Sequence, residues 1–163
     1  MTDSFEIKPA TKQDVPLILS FIKELAEYEK LLHEVVATEK ILEDTLFGEN
    51  PRAEVVIGYL NAKPISFALF FHNFSTFLGR PGIYLEDLYV TPEARGKGLG
   101  QKILAYLAHL AESRHCGRLE WWVLNWNEDA IGFYQRLGAK PMDEWTVYRL
   151  TDTALTDLAA SWK

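Results

Sequence analysis

The chain has 163 residues, a formal net charge of −6 and one cysteine, Cys116; 48% of its residues are hydrophobic and 13% aromatic. That composition predicts a single packed domain over 1–163 rather than a disordered chain, and the lone cysteine excludes an intramolecular disulfide or a cysteine-rich metal site. The acidic balance argues against a nucleic-acid partner, and the lack of a basic leader or of an apolar run near ~18 residues predicts a cytoplasmic protein with no membrane partner.

In chain order, Phe5 to Ala10 reads as a first strand ended at Pro9. Thr11-Lys12-Gln13-Asp14 matches a capping box. Val15, Ile18, Leu19, Ile22, Leu25 and Ala26 then recur at helical spacing to about Tyr28. A second helix is expected from Thr38 to before Gly48. Between Lys23 and Glu49 eight acids stand against three lysines, a balance of −5 within the total of −6. Such a patch attracts a cationic substrate, although a solvated helical face is its commoner meaning. Ala53 to Leu60 and Pro64 to His72 read as a hairpin turning at Asn61-Ala62-Lys63. Asn73 to Gly82 reads as a loop, and Ile83 to Val90 as the central strand, closed by Pro92.

The stretch after that strand, Arg95-Gly96-Lys97-Gly98-Leu99-Gly100-Gln101, opens a helix in which Leu99, Ile103, Leu104, Leu107 and Leu110 share one face as far as Ser113. Alternate glycines let the backbone approach a ligand closely. The helix N-terminus adds unpaired amides and the positive end of a dipole, and Arg95 and Lys97 add charge, which together suit a phosphate or pyrophosphate. A P-loop is absent, and Gln101 stands where a Rossmann fingerprint needs glycine. Arg118 to Leu124 is a further strand. A helix follows from about Glu128 to Leu137 with Gly138 as its stop, then a strand over Trp145–Leu150 and a short helix in Thr151 to Trp162. The order β-α-α-β-β-β-α-β-α-β is an α+β fold, here expected as a mixed, mostly antiparallel twisted sheet of about six to seven strands with helices on both faces.

Two acids interrupt the central strand. Alternation puts Glu86 on one face with Tyr84, Leu88 and Val90, and Asp87 on the other with Leu85 and Tyr89. Acids among Ile, Leu, Tyr and Val are costly unless paired or useful, so Glu86 is a candidate base, with a structural ion pair as the alternative and more so for Asp87. Tyr134 is a candidate acid, although a tyrosine at that place is more often core, with its hydroxyl on a backbone carbonyl. Cys116 reads as structural, and His72, His109 and His115 have no partners at metal spacing, so no metal is expected.

The glycine loop resembles the R/Q-x-x-G-x-G/A loop of the GNAT N-acetyltransferases. Asn127-Glu128-Asp129-Ala130-Ile131-Gly132-Phe133-Tyr134 through Gly138-Ala139 resembles that family's N-x-x-A-x-x-F-Y-x-x-x-G signature. Lys23 to Leu31, Tyr84 to Val90 and Val123 to Asn127 are similar to the diamine acetyltransferases, the spermidine/spermine N1-acetyltransferase group. The resemblance implies the GNAT fold, a homodimer, acetyl-CoA as the only cofactor and a small cationic amine as substrate. It also implies that the CoA arm lies along Leu88, Tyr89 and Val90, the amides of Gly96 to Gln101, Asn127, Ala130 and Tyr134. Glu86 would be the base, Tyr134 the acid, and Tyr28, Glu29, Phe77, Glu86, Asp87, Glu120 and Trp122 would border the amine. Polyamine-specific members carry an acid and a tryptophan before the central strand, where this chain has Ser75 and Phe77. In that loop it is more like the thialysine-acetylating branch.

Overall fold

A computed structural model describes residues 3–162. They form two compact units divided after Trp122. The first carries a sheet in the order β1 (Phe5–Pro9), β2 (Glu54–Leu60), β3 (Lys63–Ser75), β4 (Arg80–Val90) and β5 (Leu119–Trp121). All neighbours are antiparallel except β4 and β5. Its helices are α1 (Val15–Tyr28), α2 (Glu39–Phe47) and α3 (Leu99–Ser113). The second unit carries α4 (Glu128–Arg136) and α5 (Asp152–Ala160).

The capping box forms, with the Thr11 amide donating to Asp14 Oδ2 at 2.7 Å; a 3-10 turn at Lys12–Asp14 leads into α1. The apolar face of α1 (Val15, Ile18, Leu19, Phe21, Leu25) and that of α2 (Leu42, Leu46) close on Val55, Phe67 and Tyr89. Phe21 stacks on Phe67 with ring centroids 5.6 Å apart. Helix α3 packs on β4 and β5, where Ile83 and Leu85 are buried. Their cross-strand partners on β3, His72 and Phe70, alternate with Phe67, so these residues point away from the α1 side.

Three expectations change. The sheet has five strands among the described residues, not six or seven. Trp145–Leu150 forms none, because β-forming residues make a strand only where a ladder partner lies alongside. The stretch Asn73 to Gly82 is mostly ladder: Asn73, Phe74 and Ser75 pair with Gly82, Pro81 and Arg80. Its Asn, Ser, Thr, Gly and Pro content disguised a hairpin whose turn is closed by the Leu78 amide on Ser75 Oγ (3.2 Å), with Gly79 at φ 64°. The other hairpin turns on Asn61 and Ala62 alone, both at positive φ, the type I′ geometry that matches strand twist.

One clamp fixes the end of α3. Arg114 Nη1 and Nη2 donate to Glu54 Oε2 and Oε1 at 2.7 and 2.9 Å, and Nη1 lies 3.3 Å from His72 Nε2. The guanidinium holds the Glu54 carboxyl below its ordinary pKa. That lowered value stabilises the fold above the ordinary glutamate range, and the contribution is lost as pH falls through it. The pair is partly exposed, so Arg114→Ala should cost about 1 kcal/mol, or roughly 3 °C in Tm at pH 7. The difference from the parent should shrink as pH falls below the ordinary glutamate range. A difference that persists there would place the effect in packing instead.

Candidate active site

The central strand departs from strict alternation. On β3, Leu69 faces Asp87, but the next residue, Phe70, faces Leu85, so Glu86 is the extra residue of a β-bulge. The faces are thereby regrouped. Asp87 and Tyr84 face Leu69 and Phe71, alternate β3 positions on the Phe67 side, and so share the α1 side with Tyr89. Leu85 and Leu88 take the other side. The expected pairing of Asp87 with Leu85, and of Glu86 with Tyr84 and Leu88, is thus corrected by a bulge that composition does not signal.

Glu86 is exposed and Asp87 half-buried. Burial, with the Glu86 and Glu29 carboxylates adding repulsion, pushes the Asp87 carboxyl up to about 7. Burial also raises Glu29, the residue that ends α1. These three acids form a local excess of negative charge suited to an ammonium group. Glu24, one turn before Tyr28 on α1, was not singled out from the sequence. It accepts from the Tyr89 hydroxyl at 2.9 Å, and Tyr89 is pushed up to about 12 by burial and this bond. Its i, i+4 spacing to Tyr28 was the available signal.

The α1 terminus is a Schellman turn. The Leu31 amide donates to Ala26 O (2.8 Å) and the Lys30 amide to Glu27 O (3.0 Å), with Lys30 at φ 64°. It fixes Tyr28 and Glu29 in the last turn, and Tyr28 is 42% exposed.

At the other end of β4, Gly96 and Gly98 adopt φ 76° and 71°, and nothing lies within 4 Å of a Cβ built on Gly96, Gly98 or Gly100. The first intrahelical bond of α3 runs from the Lys102 amide to Gly98 O, and no side chain caps the helix. The amides of Leu99, Gly100 and Gln101 therefore precede the helical ladder beside open space, an arrangement that fits an anion. Leu99 itself is buried against Ile65 and Ala94 and anchors the helix start. Lys97 lies 3.4 Å from Asp3. Beyond Leu85, β4 has no strand on its outer edge among the described residues, since β5 pairs only with Ile83, Tyr84 and Leu85. Leu88, Tyr89 and Val90 thus have no strand partner on that edge among the described residues, and the Val90 carbonyl accepts from Arg95 Nε at 2.9 Å.

Other predicted residues lie farther along the sheet. Glu120 accepts from Asn73 Nδ2 and pairs with Arg118 Nε, both at 3.0 Å. Trp122 meets Tyr84 edge-on at 5.9 Å. Phe77 is 97% exposed at the β3–β4 turn, on the order of 20 Å from Asp87 at the usual rise per strand residue. In the second unit, Asn127 Oδ1 caps α4 by accepting from the Ala130 amide at 3.3 Å. Gly138, at φ 87°, ends the helix with the Ala139 amide on Tyr134 O. Tyr134 is half-buried, its ring 5.4 Å from that of Phe133. Among the described residues no His, Cys, Asp and Glu group is arranged to hold a metal, and no helix is long and apolar enough to cross a membrane.

Residues 20–139 match the model of the acetyltransferase (GNAT) family. The chain is 35% identical to a mouse thialysine N-epsilon-acetyltransferase, over 96% of this chain and 98% of the relative. It is 32% identical to an L-ornithine N5-acetyltransferase of Arabidopsis thaliana, over 91% and 85%. An integron cassette protein from the mobile metagenome of V. cholerae superimposes with a TM-score of 0.81 at 31% identity, covering 97% of this chain and 99% of that one.

Proposed function

The chain belongs to the acetyltransferase (GNAT) family and is an acyltransferase, and from that premise we propose that it transfers acetyl from acetyl-CoA to the primary amine of a small cationic molecule of the thialysine or ornithine kind. The observation that carries the reading is the acid cluster at the bulge. Asp87 is held near neutrality by burial and by two carboxylates, and a bound ammonium relieves that repulsion. The regular strand would have turned Asp87 and Tyr84 to opposite sides; the bulge gives them one.

Acetyl-CoA supplies the acyl group as a thioester. The amides of residues 96–101 hold its pyrophosphate, and the edge of Leu88 to Val90, apart from the Val90 carbonyl that Arg95 takes, accepts the extended arm, as a sheet edge accepts a strand. By the family signature alone, Asn127 and Ala130 of α4 are also assigned to the arm. Glu29, Asp87 and Tyr28 hold the cationic substrate. Glu86, exposed at the bulge, takes the proton that an amine of pKa ~10 must lose before it attacks. Tyr134 gives a proton to the departing thiolate. Both substrates are held at once, so positioning supplies much of the rate. Glu120 and Trp122 belong to the outer wall of the amine site in this reading, and Phe77, on the order of 20 Å from Asp87, lies beyond it in the same chain. Supporting a preference for amino-acid amines over polyamines, Ser75 is buried and closes a turn, so it offers no charge to a distal ammonium. We extend the reading to a homodimer in the cytoplasm; the exposed Phe74, Phe77 and Leu78 are the apolar surface such a contact would cover.

The test is CoA release from acetyl-CoA over thialysine, lysine, ornithine, putrescine, spermidine, spermine and short peptides. Turnover of thialysine or ornithine at least tenfold above spermidine is expected. Preference for spermidine would keep the enzyme and overturn the inference from Ser75 and Phe77. Activity confined to peptides would make it a peptide N-acetyltransferase. Binding of acetyl-CoA with no turnover would point to a non-catalytic acyl-CoA sensor.

A further inference from the structure

Arg95 opens the glycine loop, and its charge alone suggests a phosphate contact. The structure gives its side chain a different set of neighbours. Nε donates to Val90 O at 2.9 Å, which turns the side chain back along β4. The guanidinium carbon then stands 4.9 Å from the centre of the Tyr28 ring and 5.6 Å from that of Tyr89. Both lie within the range at which a ring face attracts a cation. Tyr89 is in turn tied to α1 by its hydroxyl on Glu24. The first residue of the loop is thus joined to the last turn of α1, the turn that the Lys30 Schellman geometry locks and that ends in Glu29.

We infer that Arg95 is a positioning residue that couples the glycine loop to the amine end of α1, so that filling the loop orders Tyr28 and Glu29. The inference rests on the reading that the loop holds the pyrophosphate of CoA. A loop fixed by its ligand holds Arg95 fixed, and a fixed guanidinium favours one placement of the Tyr28 ring. Linkage makes the effect reciprocal, so an amine bound at Tyr28 and Glu29 tightens CoA by the same factor. The aromatic face of Tyr28 is the part that the guanidinium meets.

Amide hydrogen exchange with and without CoA tests this without needing turnover. Each variant is measured at CoA ten times its own Kd. In the parent protein CoA should slow exchange in peptides spanning 96–101 and also, by at least threefold, in peptides spanning 26–31. Arg95→Met and Tyr28→Leu should keep the first effect and lose the second, whereas Tyr28→Phe should keep both. Should Arg95→Met fail to fold or to bind CoA, Tyr28→Leu against Tyr28→Phe carries the comparison. Slowing at the loop with none at 26–31 in the parent would overturn the coupling and leave the CoA reading intact. Slowing at 26–31 that survives in Tyr28→Leu would also overturn it. No binding of CoA by the parent would instead sink the reading of the loop, and the coupling with it.

Discussion

Asp87→Asn should lower kcat/KM for thialysine about 100-fold and at the same time make the protein more stable at pH 8. The two effects have one cause. Asp87 is half-buried beside Glu86 and Glu29, and its carboxyl titrates near 7 against an ordinary 3.8. Between those values the folded protein keeps a proton that the unfolded chain has released. Stability therefore falls as pH rises across the window and is lowest above it. Three pKa units correspond to roughly 4 kcal/mol, and partial exposure reduces this to the order of 2–4 kcal/mol. Asparagine carries no charge and removes the penalty, so Tm should rise by several degrees at pH 8 and not at pH 4.

Function moves the other way. Losing one partner of a charged hydrogen bond costs about 2–5 kcal/mol, and most of it should appear as a higher KM for the amine. In the parent that KM should fall as pH rises through 7 and Asp87 ionises; in the variant this slope should be absent. Calorimetry at two pH values and initial rates over pH 6–9 check both halves. Unchanged kcat/KM, or a lower Tm at pH 8, would remove Asp87 from the amine site.

What the sequence made legible follows from what it encodes locally. The capping box at Thr11, the apolar stripes of α1 and α3, the glycine loop and the Gly138 stop all lie within a few residues, and each appears where expected. The hairpin tip was hidden because its pairing joins residues five to nine apart, while its composition reads as loop. The bulge was hidden for a deeper reason. Nothing in Leu85-Glu86-Asp87-Leu88 says which residue is extra; that is decided by the register with β3. Yet one extra residue reassigned Tyr84 and Asp87 to a common side. The neighbours of Arg95 were hidden similarly. Its charge is local information, but the Tyr28 ring it meets lies 67 positions earlier in the chain.

The second large effect is expected at the leaving group. Tyr134→Phe should lower kcat by about 100-fold with less than a twofold change in the Kd of CoA. A positioned general acid contributes typically 10²–10⁴-fold, and phenylalanine keeps the ring while deleting the proton. The helix itself should not change. Asn127 caps α4, the Schellman turn at Gly138 closes it through the Tyr134 carbonyl, and Phe133 packs beside the ring; none of these uses the hydroxyl. An unchanged circular dichroism spectrum and a Tm within about 1 °C are the control that separates a drop in kcat from a folding effect. The pH profile separates roles further. If Tyr134 protonates the thiolate, the pH profile of kcat should differ in shape between parent and variant and not only in height. A profile of unchanged shape with reduced kcat would make Tyr134 a positioning group. Unchanged kcat would leave the thiolate to depart without help from this residue, and would move the weight of catalysis onto the glycine loop, the bulge and the amine-side acids.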